Sequence, residues 1–256
     1  MSYLRIGDVD LWYDESGTGE PVVLLHGAMS DSRDFDGNLA ALASEFRVLR
    51  VDRRGHGHTA DTDGPLTLDL MADDMIRFAE CLAEGQIAVA GYSAGAGVAL
   101  RMATRRPDLV SALVLISGAY DRAGLIVRPV SGGSWPPQVI AAYGEVSPDG
   151  EGHFPVVADK VAASIDQGSE LSPRDLAQLT CPSLVLAADD DVVSLEHTIA
   201  LYRALPDAYL SIVPGASHLL LHEHPELCTL LVRNFLAGNR GPRLMPMRRP
   251  GHVSPS

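Results

Sequence analysis

The stretch that decides the fold is Ile87–Leu100, which reads IAVAGYSAGAGVAL. It begins as an apolar run of strand length and ends as a run of small and aliphatic residues typical of a helix, with Ser93 at the junction. A sharp strand-to-helix turn strains its central residue and leaves almost no room for side chains two positions away, where Gly91 and Gly95 lie. Such a turn would present the Ser93 hydroxyl above the carboxyl end of the strand, beside a helix N-terminus that stabilises negative charge. The alternative is a glycine-rich turn in which Ser93 caps an ordinary helix.

The composition is that of a globular protein with a sizeable core. Of the 256 residues, 46% are hydrophobic and 21% are charged. The formal net charge of -13 argues against nucleic acid and anionic membrane surfaces as partners. Three scattered cysteines, Cys81, Cys181 and Cys228, lack metal-ligand spacing and predict buried thiols in a reducing compartment. Because we find neither an apolar leader nor a run long enough to span a bilayer, we expect a cytoplasmic protein.

Apolar runs of strand length alternate with helical patterns along most of the chain. Two short alternating runs flank Gly7-Asp8 and predict an N-terminal antiparallel hairpin. The later runs are continuously apolar, as expected for parallel strands buried on both faces, so we predict an α/β fold with a doubly wound, mostly parallel sheet. Besides the strand before Ser93, the predicted parallel strands are Pro21–Leu25, Val48–Val51, Leu109–Ile116, Ser183–Ala188 and Tyr209–Val213. The predicted helices are Asp34–Phe46, Leu68–Leu82, the helix from Ser93 to Arg106, Leu195–Leu205 and Pro225–Leu236.

The alternation stops at Ala119 and resumes after Leu179. The intervening segment is rich in proline and glycine, and it contains two short helical patterns at Val139–Tyr143 and Pro155–Ile165 but no buried strand. It is too long for a simple connection, and its apolar side chains give it something to bury, so we predict a helical lid insertion. The last residues offer little that could form a core. The predicted boundaries are a core over 1–118 and 180–237, a lid over 119–179 and a flexible tail over 238–256.

The Ser93 hydroxyl needs partners before it can act as a nucleophile: a base beside it and a third group that orients the base. Both must lie at the carboxyl edge of the sheet. Asp189, Asp190 and Asp191 follow one later strand, and a loop after the next strand carries His218. Serine, aspartate and histidine then occur in the chain order expected when this kind of turn carries the nucleophile. We predict His218 as the base, and the pattern leaves the three aspartates open as the acid.

Several motifs occur together in a recognisable order. They are His26-Gly27, DRRGHG at 52–57, GYSAG at 91–95, ADDD at 188–191 and GASH at 215–218. In combination they resemble the α/β-hydrolase fold superfamily, in particular its lidded esterase, enol-lactonase and C–C hydrolase members. The resemblance covers roughly Tyr3 to Leu236. It also implies that the loop 52–59 is structural and ties neighbouring loops together.

The resemblance adds two expectations about the site. In the family the acid usually ends a Gly-x-x-Asp pattern, and Ala188 stands here in place of the glycine, which implies Asp191 as the acid with the two preceding aspartates as alternatives. The family also implies an oxyanion hole of two backbone N–H groups. Ala94, the residue after the nucleophile, would supply one. Ala28 would supply the other, with Met29 as the alternative.

The predicted activity is that of a serine hydrolase that needs neither cofactor nor metal and acts on a small-molecule substrate. We expect it to cleave a small, mainly apolar ester, thioester or lactone through an acyl-enzyme at Ser93. One alternative is a C–C bond hydrolase or lyase-type enzyme of secondary metabolism. Another is a ligand-binding protein that keeps the triad and turns over slowly. No oligomeric state follows from the sequence. The residues expected to line the substrate pocket are Met29, Tyr92, Trp135, Ile140, Tyr143 and Phe154.

Overall fold

An eight-stranded β-sheet forms the centre of the protein in the computed structural model, which describes residues 2–83, 85–240 and 244. The strands are β1 (Ser2–Ile6), β2 (Val9–Ser16), β3 (Pro21–Leu25), β4 (Arg47–Val51), β5 (Ile87–Tyr92), β6 (Val110–Ile116), β7 (Ser183–Asp190) and β8 (Ala208–Ser217). They lie in the order β1-β2-β4-β3-β5-β6-β7-β8. The pairs β1–β2 and β2–β4 are antiparallel, and the other neighbours are parallel. The predicted α/β fold with an N-terminal hairpin is confirmed.

Helices cover both faces of this sheet. They are α1 (Leu68–Leu82), α2 (Ala94–Arg105), α3 (Pro137–Val146), α4 (Phe154–Gln167), α5 (Pro173–Leu176), α6 (Leu195–Ala204), α7 (Leu220–Glu223) and α8 (Pro225–Leu236). Successive side chains of a strand point to opposite faces. In β3, Val23 and Leu25 therefore join the apolar layer under α1 and α2, whereas Val22 and Leu24 join the layer under α8. Among the described residues no helix is both long and apolar enough to cross a membrane.

Two predicted elements differ from the structure. The single helix expected over Asp34–Phe46 is wrong, because the chain forms two short 3₁₀ helices at Ser32–Phe35 and Leu39–Ser44. Gly37 has a φ of 73° between them, which interrupts a helix, and the Asn38 side chain accepts a hydrogen bond from Leu39 N to start the second turn. The apolar spacing is preserved, so the same face still packs on the sheet. The second difference is that β8 continues to Ser217, where a turn was expected from residue 214.

The chain between β6 and β7 is mostly helical. A 3₁₀ turn at Arg122–Gly124 comes first and is followed by α3. A second 3₁₀ turn at Glu151–His153 leads directly into α4, and α5 comes last. The two predicted helical patterns fall within α3 and α4. A backbone hydrogen bond of 3.2 Å from Leu171 N to Tyr120 O joins the two ends of the stretch 121–170 at its base. We keep 119–179 as the proposed lid; of the predicted tail, residues 241–243 and 245–256 lie outside the described part of the chain.

Candidate active site

Ser93 lies at the turn between β5 and α2. Its φ of 54° and ψ of -117° place it in a region that residues with side chains rarely occupy. Ser93 N donates to Ile116 O over 2.8 Å, which fixes the turn to the neighbouring strand β6. The Ser93 side chain makes no capping hydrogen bond to α2. The alternative of an ordinary helix-capping serine is therefore wrong, and the hydroxyl is left for other partners.

The glycines on either side of Ser93 are required by close backbone contacts. A Cβ atom on Gly95 would lie 2.1 Å from Leu25 O, and one on Gly91 would lie 2.3 Å from Gly95 O. Both distances are far below van der Waals contact, and both contacts are with backbone, which cannot move aside cheaply. The turn therefore holds its strained conformation because β3, β5 and α2 meet here without intervening side chains.

His218 follows β8 and reaches both Ser93 and Asp191. The distance from His218 Nε2 to Ser93 Oγ is 3.0 Å, and that from His218 Nδ1 to Asp191 Oδ1 is 2.7 Å. With Nδ1–H donating to the carboxylate, Nε2 is free to accept the hydroxyl hydrogen of Ser93. The Tyr92 hydroxyl donates to the backbone oxygen of His218 over 2.7 Å and so holds the loop that carries His218 against the end of β5. The structure thus brings the predicted nucleophile, base and acid into one hydrogen-bonded row.

The side chain of Asp191 is buried and accepts hydrogen bonds from several donors. Besides His218, the Ser117 hydroxyl donates to its carboxylate, and the N–H of Ala188 donates over 3.3 Å. Burial raises the pKa of Asp191, but the hydrogen bonds from His218 and Ser117 outweigh burial and leave the pKa below its ordinary value. Asp191 is therefore ionised at neutral pH and can stabilise a histidine cation.

The other two aspartates of the run lie elsewhere. Asp189 accepts hydrogen bonds from Gly215 N at 2.9 Å and from Ala216 N at 3.1 Å, so it fastens β7 to the end of β8. Asp190 is exposed at the end of β7. A register shift between Ala188 and Asp190 lets the chain turn inwards, which carries residue 191 towards the histidine.

The two residues predicted to supply the amides of an oxyanion hole, Ala94 and Ala28, are both found beside the cavity that contains Ser93. Ala94 is the first residue of α2, so its N–H has no partner within the helix. Ala28 lies in the loop after β3, and both alanines line the cavity that contains Ser93. The loop is fixed by Asp34, whose Oδ2 accepts from Gly27 N at 3.2 Å and from the Ser30 hydroxyl at 2.5 Å. The oxyanion hole formed by these two amides stays a prediction.

A cavity of about 590 Å³ opens beside Ser93 and His218, and Trp135 forms part of its wall. Its volume suits a small organic ligand. The other predicted pocket residues are placed elsewhere: the rings of Tyr143 and Phe154 are buried against each other with centroids 5.5 Å apart, and Trp135 packs on Phe154 edge to face. Large apolar side chains gain most when they are fully buried, so these rings pack against each other within the stretch 119–179 and not against the cavity. The five predicted pocket residues outside the cavity lining are Met29, Tyr92, Ile140, Tyr143 and Phe154.

The cavity also has polar walls that the sequence analysis did not anticipate. Arg53 and His56 belong to the loop 52–59, which was expected to be purely structural, and both line the cavity. Arg101 of α2 lines it as well. The available signal was that this loop follows β4 and therefore starts at the same carboxyl edge of the sheet as Ser93.

The fold and this site define the chain as a member of the alpha/beta hydrolase family, whose family model matches residues 22–229. It is an enzyme of the hydrolase class. It is 27% identical to the 2-(acetamidomethylene)succinate hydrolase of Mesorhizobium japonicum, over 90% of this chain and 93% of the relative. It is 26% identical to the 2-hydroxy-6-oxo-6-(2'-aminophenyl)hexa-2,4-dienoic acid hydrolase of Metapseudomonas resinovorans, over 92% of this chain and 90% of the relative. A thermophilic esterase from Thermogutta terrifontis is structurally similar, with a TM-score of 0.73 and 25% identity over 91% of this chain and 95% of the esterase.

Proposed function

We propose that this enzyme is a serine hydrolase that cleaves a small ester, thioester or lactone through an acyl-enzyme at Ser93. The observation that carries the proposal is the row of hydrogen bonds from Ser93 through His218 to Asp191. A serine hydroxyl alone is a poor nucleophile, and this row supplies the base and the orienting carboxylate that activate it. The names of the two enzymes and the esterase to which the chain is similar support a hydrolytic reaction.

The proposed mechanism has two half-reactions. His218 Nε2 takes the hydroxyl proton as Ser93 Oγ attacks the substrate carbonyl, and Asp191 stabilises the resulting imidazolium. The N–H groups of Ala94 and Ala28 donate to the oxyanion of the tetrahedral intermediate. The intermediate collapses, and the leaving alcohol or thiol departs with the proton from His218. Water then loses a proton to His218 and attacks the acyl-enzyme, which releases the acid and restores the Ser93 hydroxyl.

We also propose that the enzyme works in the cytoplasm on a small-molecule substrate. The cysteines support a reducing compartment, because Cys81, Cys181 and Cys228 are all free thiols; Cys81 is exposed, against the prediction that all three are buried. The mainly apolar body of the substrate would lie against aliphatic side chains of the cavity, among them Leu66, Leu125 and Val161.

Labelling and turnover test the proposed nucleophile. The protein is treated with a fluorophosphonate probe, and hydrolysis of p-nitrophenyl acetate and butyrate is followed in parallel for the native sequence, Ser93→Ala and Ser44→Ala. Ser44 is an exposed serine far along the chain from the turn and serves as the matched control. We expect the probe to label Ser93 and Ser93→Ala to lose both labelling and turnover, whereas Ser44→Ala keeps both. Absence of labelling together with absence of turnover would overturn the proposal, and labelling without turnover would favour the ligand-binding or C–C alternatives.

A further inference from the structure

Two consecutive arginines, Arg53 and Arg54, follow β4, and among the described residues only Arg54 forms an ion pair. Arg53 and Arg54 are each 1% exposed. Arg54 forms a bidentate pair with Asp74, with Nε–Oδ2 at 2.6 Å and Nη2–Oδ1 at 2.9 Å, and a further bond to Asp8 at 3.1 Å. Arg53 has no carboxylate within ion-pair distance among the residues described. Since a buried charge is normally paired, the difference between these neighbours calls for an explanation.

The hydrogen bonds of Arg53 go to neutral acceptors. Its Nη2 donates to His26 O at 2.7 Å and to Gly27 O at 2.8 Å, and its Nη1 lies 3.1 Å from Met71 Sδ. Arg53 Nε has no hydrogen-bond partner in the described structure. Burial lowers the pKa of Arg53 to about 10, so the guanidinium remains charged at neutral pH. Backbone carbonyls fix its position but do not neutralise it.

The nearest acidic groups are engaged with other donors. Asp52 accepts from Ser32 N at 2.8 Å and from His58 N at 2.8 Å. Asp34 accepts from the amide of Gly27 and the hydroxyl of residue 30, as described above. These carboxylates act on Arg53 only at longer range.

Arg53 is part of the wall of the same cavity as the nucleophile. Arg53 and Ser93 both line this cavity, and Gly27, to which Arg53 donates, is so close to Ser93 that a Cβ on Gly27 would lie 3.5 Å from Ser93 Cβ. His56 lies on the same wall, 1% exposed; its Nδ1 is 2.9 Å from Arg54 O, and its Nε2 has no partner within the described residues. Two buried polar residues of one cavity wall thus each keep a side-chain nitrogen without a hydrogen-bond partner among the described residues.

We propose that the wall formed by Arg53 and His56 is a subsite that binds a carboxylate of the substrate. The inference rests on the proposed function and narrows it to acyl compounds that carry a carboxylate. A planar guanidinium matches a carboxylate in shape, and a hydrogen bond between two charged groups is stronger than one between neutral groups. Arg53 is the anchor of the subsite, and His56 provides a second polar contact beside it. The carboxylate of the bound substrate then balances the charge of the Arg53 guanidinium, which no carboxylate of the described residues does at ion-pair distance.

A pair of substrates of equal length tests the subsite. We compare p-nitrophenyl hydrogen adipate, which ends in a carboxylate, with p-nitrophenyl adipamate, which ends in a neutral amide, and subtract the Ser93→Ala blank. For the native sequence we expect kcat/KM for the anionic ester to exceed that for the amide by about tenfold to a hundredfold, as a charge-assisted hydrogen bond would give. In Arg53→Gln this preference should disappear, and Arg53→Lys should restore part of it.

The ratio of the two kcat/KM values separates recognition from a structural role. If Arg53 only holds the carbonyl groups of residues 26 and 27, Arg53→Gln slows both esters equally and the ratio is unchanged, which overturns the proposal. Arg101→Gln is the matched control, because Arg101 is also buried and lines the cavity but is paired with Asp69 at 3.3 Å. We expect Arg101→Gln to leave the ratio unchanged, and a loss equal to that of Arg53→Gln would contradict the assignment to Arg53.

A binding measurement keeps the inference testable even if the esters are not hydrolysed. Calorimetry with the Ser93→Ala protein compares monomethyl adipate with the neutral methyl adipamate. Tighter binding of the anion, lost in Ser93→Ala/Arg53→Gln, supports the subsite regardless of turnover. Equal binding of the two compounds overturns the subsite. Absence of Ser93 labelling, by contrast, overturns only the proposed hydrolysis.

Discussion

At the scale of single residues, three neighbouring aspartates show how position decides role. The Asp189 carboxylate accepts hydrogen bonds from two backbone amides at the end of β8. Asp190 is exposed, and the Asp191 carboxylate contacts His218. Their side chains are chemically identical. The register shift between Ala188 and Asp190 separates them, because it changes how the end of β7 pairs with β8, and Asp191 lies just beyond the strand.

Replacing these aspartates one at a time tests the proposed acid. We expect Asp191→Asn to lower kcat by about 10⁴-fold, since the amide would favour the wrong tautomer of His218 while keeping the volume. Asp190→Asn, the exposed neighbour, is the matched control and should retain kcat within about twofold. The measurement is kcat for p-nitrophenyl butyrate, with the melting temperature of each variant as a check on folding. Equal losses in both variants would show that the carboxylate at residue 191 has no special role.

Ser93 and His218 were predictable from the residue pattern, Asp191 only from the family resemblance, and the polar wall from neither. Parallel strands end at one edge of the sheet, so side chains that follow β5, β7 and β8 must meet there whatever their distance along the chain. The missing partner of Arg53 could not be predicted, because it depends on which acidic groups the tertiary structure places beside Arg54 instead. The rings of Tyr143 and Phe154 were wrongly expected in the pocket lining because the sequence also does not show tertiary contacts. An apolar pattern looks the same for a ring in the core and for a ring in a pocket wall.

At the scale of elements, the turn between β5 and α2 tolerates a methyl group at one glycine and not at another. A Cβ on Gly95 would meet Leu25 O at 2.1 Å, which is backbone of the central strand β3. A Cβ on Gly97 would meet Leu68 Cδ1 at 2.9 Å, which is the end of a flexible side chain. Both glycines lie in α2, where alanine is otherwise favoured by about 1 kcal/mol.

We therefore predict opposite outcomes for two glycine variants. Gly95→Ala should lower the free energy of unfolding by about 3 kcal/mol or more, because the clash forces β3 and α2 apart. Gly97→Ala should change it by less than about 1 kcal/mol, because the helical preference of alanine offsets the small shift of Leu68. Urea denaturation followed by circular dichroism measures both. A Gly95→Ala protein as stable as Gly97→Ala would contradict the packing described here.

The elements were predicted well where the apolar pattern was clear, either the continuous run of a buried strand or the one-sided spacing of a helix. Pro21–Leu25 and Leu68–Leu82 agree with the structure to the residue. The helix expected at Asp34–Phe46 failed because apolar spacing does not distinguish an α-helix from two 3₁₀ turns that present the same face. In that stretch Gly37 and Asn38 decide the outcome locally.

At the scale of the whole molecule, the loop 52–59 is fastened to the hairpin side of the sheet. Trp12 N donates to Thr59 Oγ1 at 2.9 Å, and the Trp12 ring stacks on His58 with centroids 4.4 Å apart. His58 Nδ1 lies 2.8 Å from Asp52 Oδ2. This hydrogen bond to Asp52, with the negative charge of the carboxylate, raises the pKa of His58 above its ordinary value near 6.5.

The raised pKa predicts a pH-dependent part of the stability. The folded state holds the His58 proton more tightly than the unfolded state, so the stabilisation is complete below pH 6.5 and is lost as pH rises through the folded pKa. The free energy of unfolding of the native sequence relative to His58→Gln should therefore be largest at acidic pH and shrink above neutrality. Urea titrations from pH 5.5 to 8.5 measure the difference. In an Asp52→Asn background the pH dependence of this difference should vanish, and its persistence would show that another group is responsible.

The hydrogen bond between Leu171 N and Tyr120 O bears on how the stretch 121–170 can change in length between related enzymes. Because it holds both ends of the stretch 121–170 together, the stretch can lengthen or shorten at little entropic cost, about 0.6 kcal/mol for a doubling. Trp135 and Val161, which line the cavity, belong to this stretch, whereas Ser93 and Arg53 lie in turns just after strands β5 and β4 of the sheet. A change in the stretch 121–170 can thus change which ligands the cavity admits, while Ser93, His218 and Asp191 keep their positions.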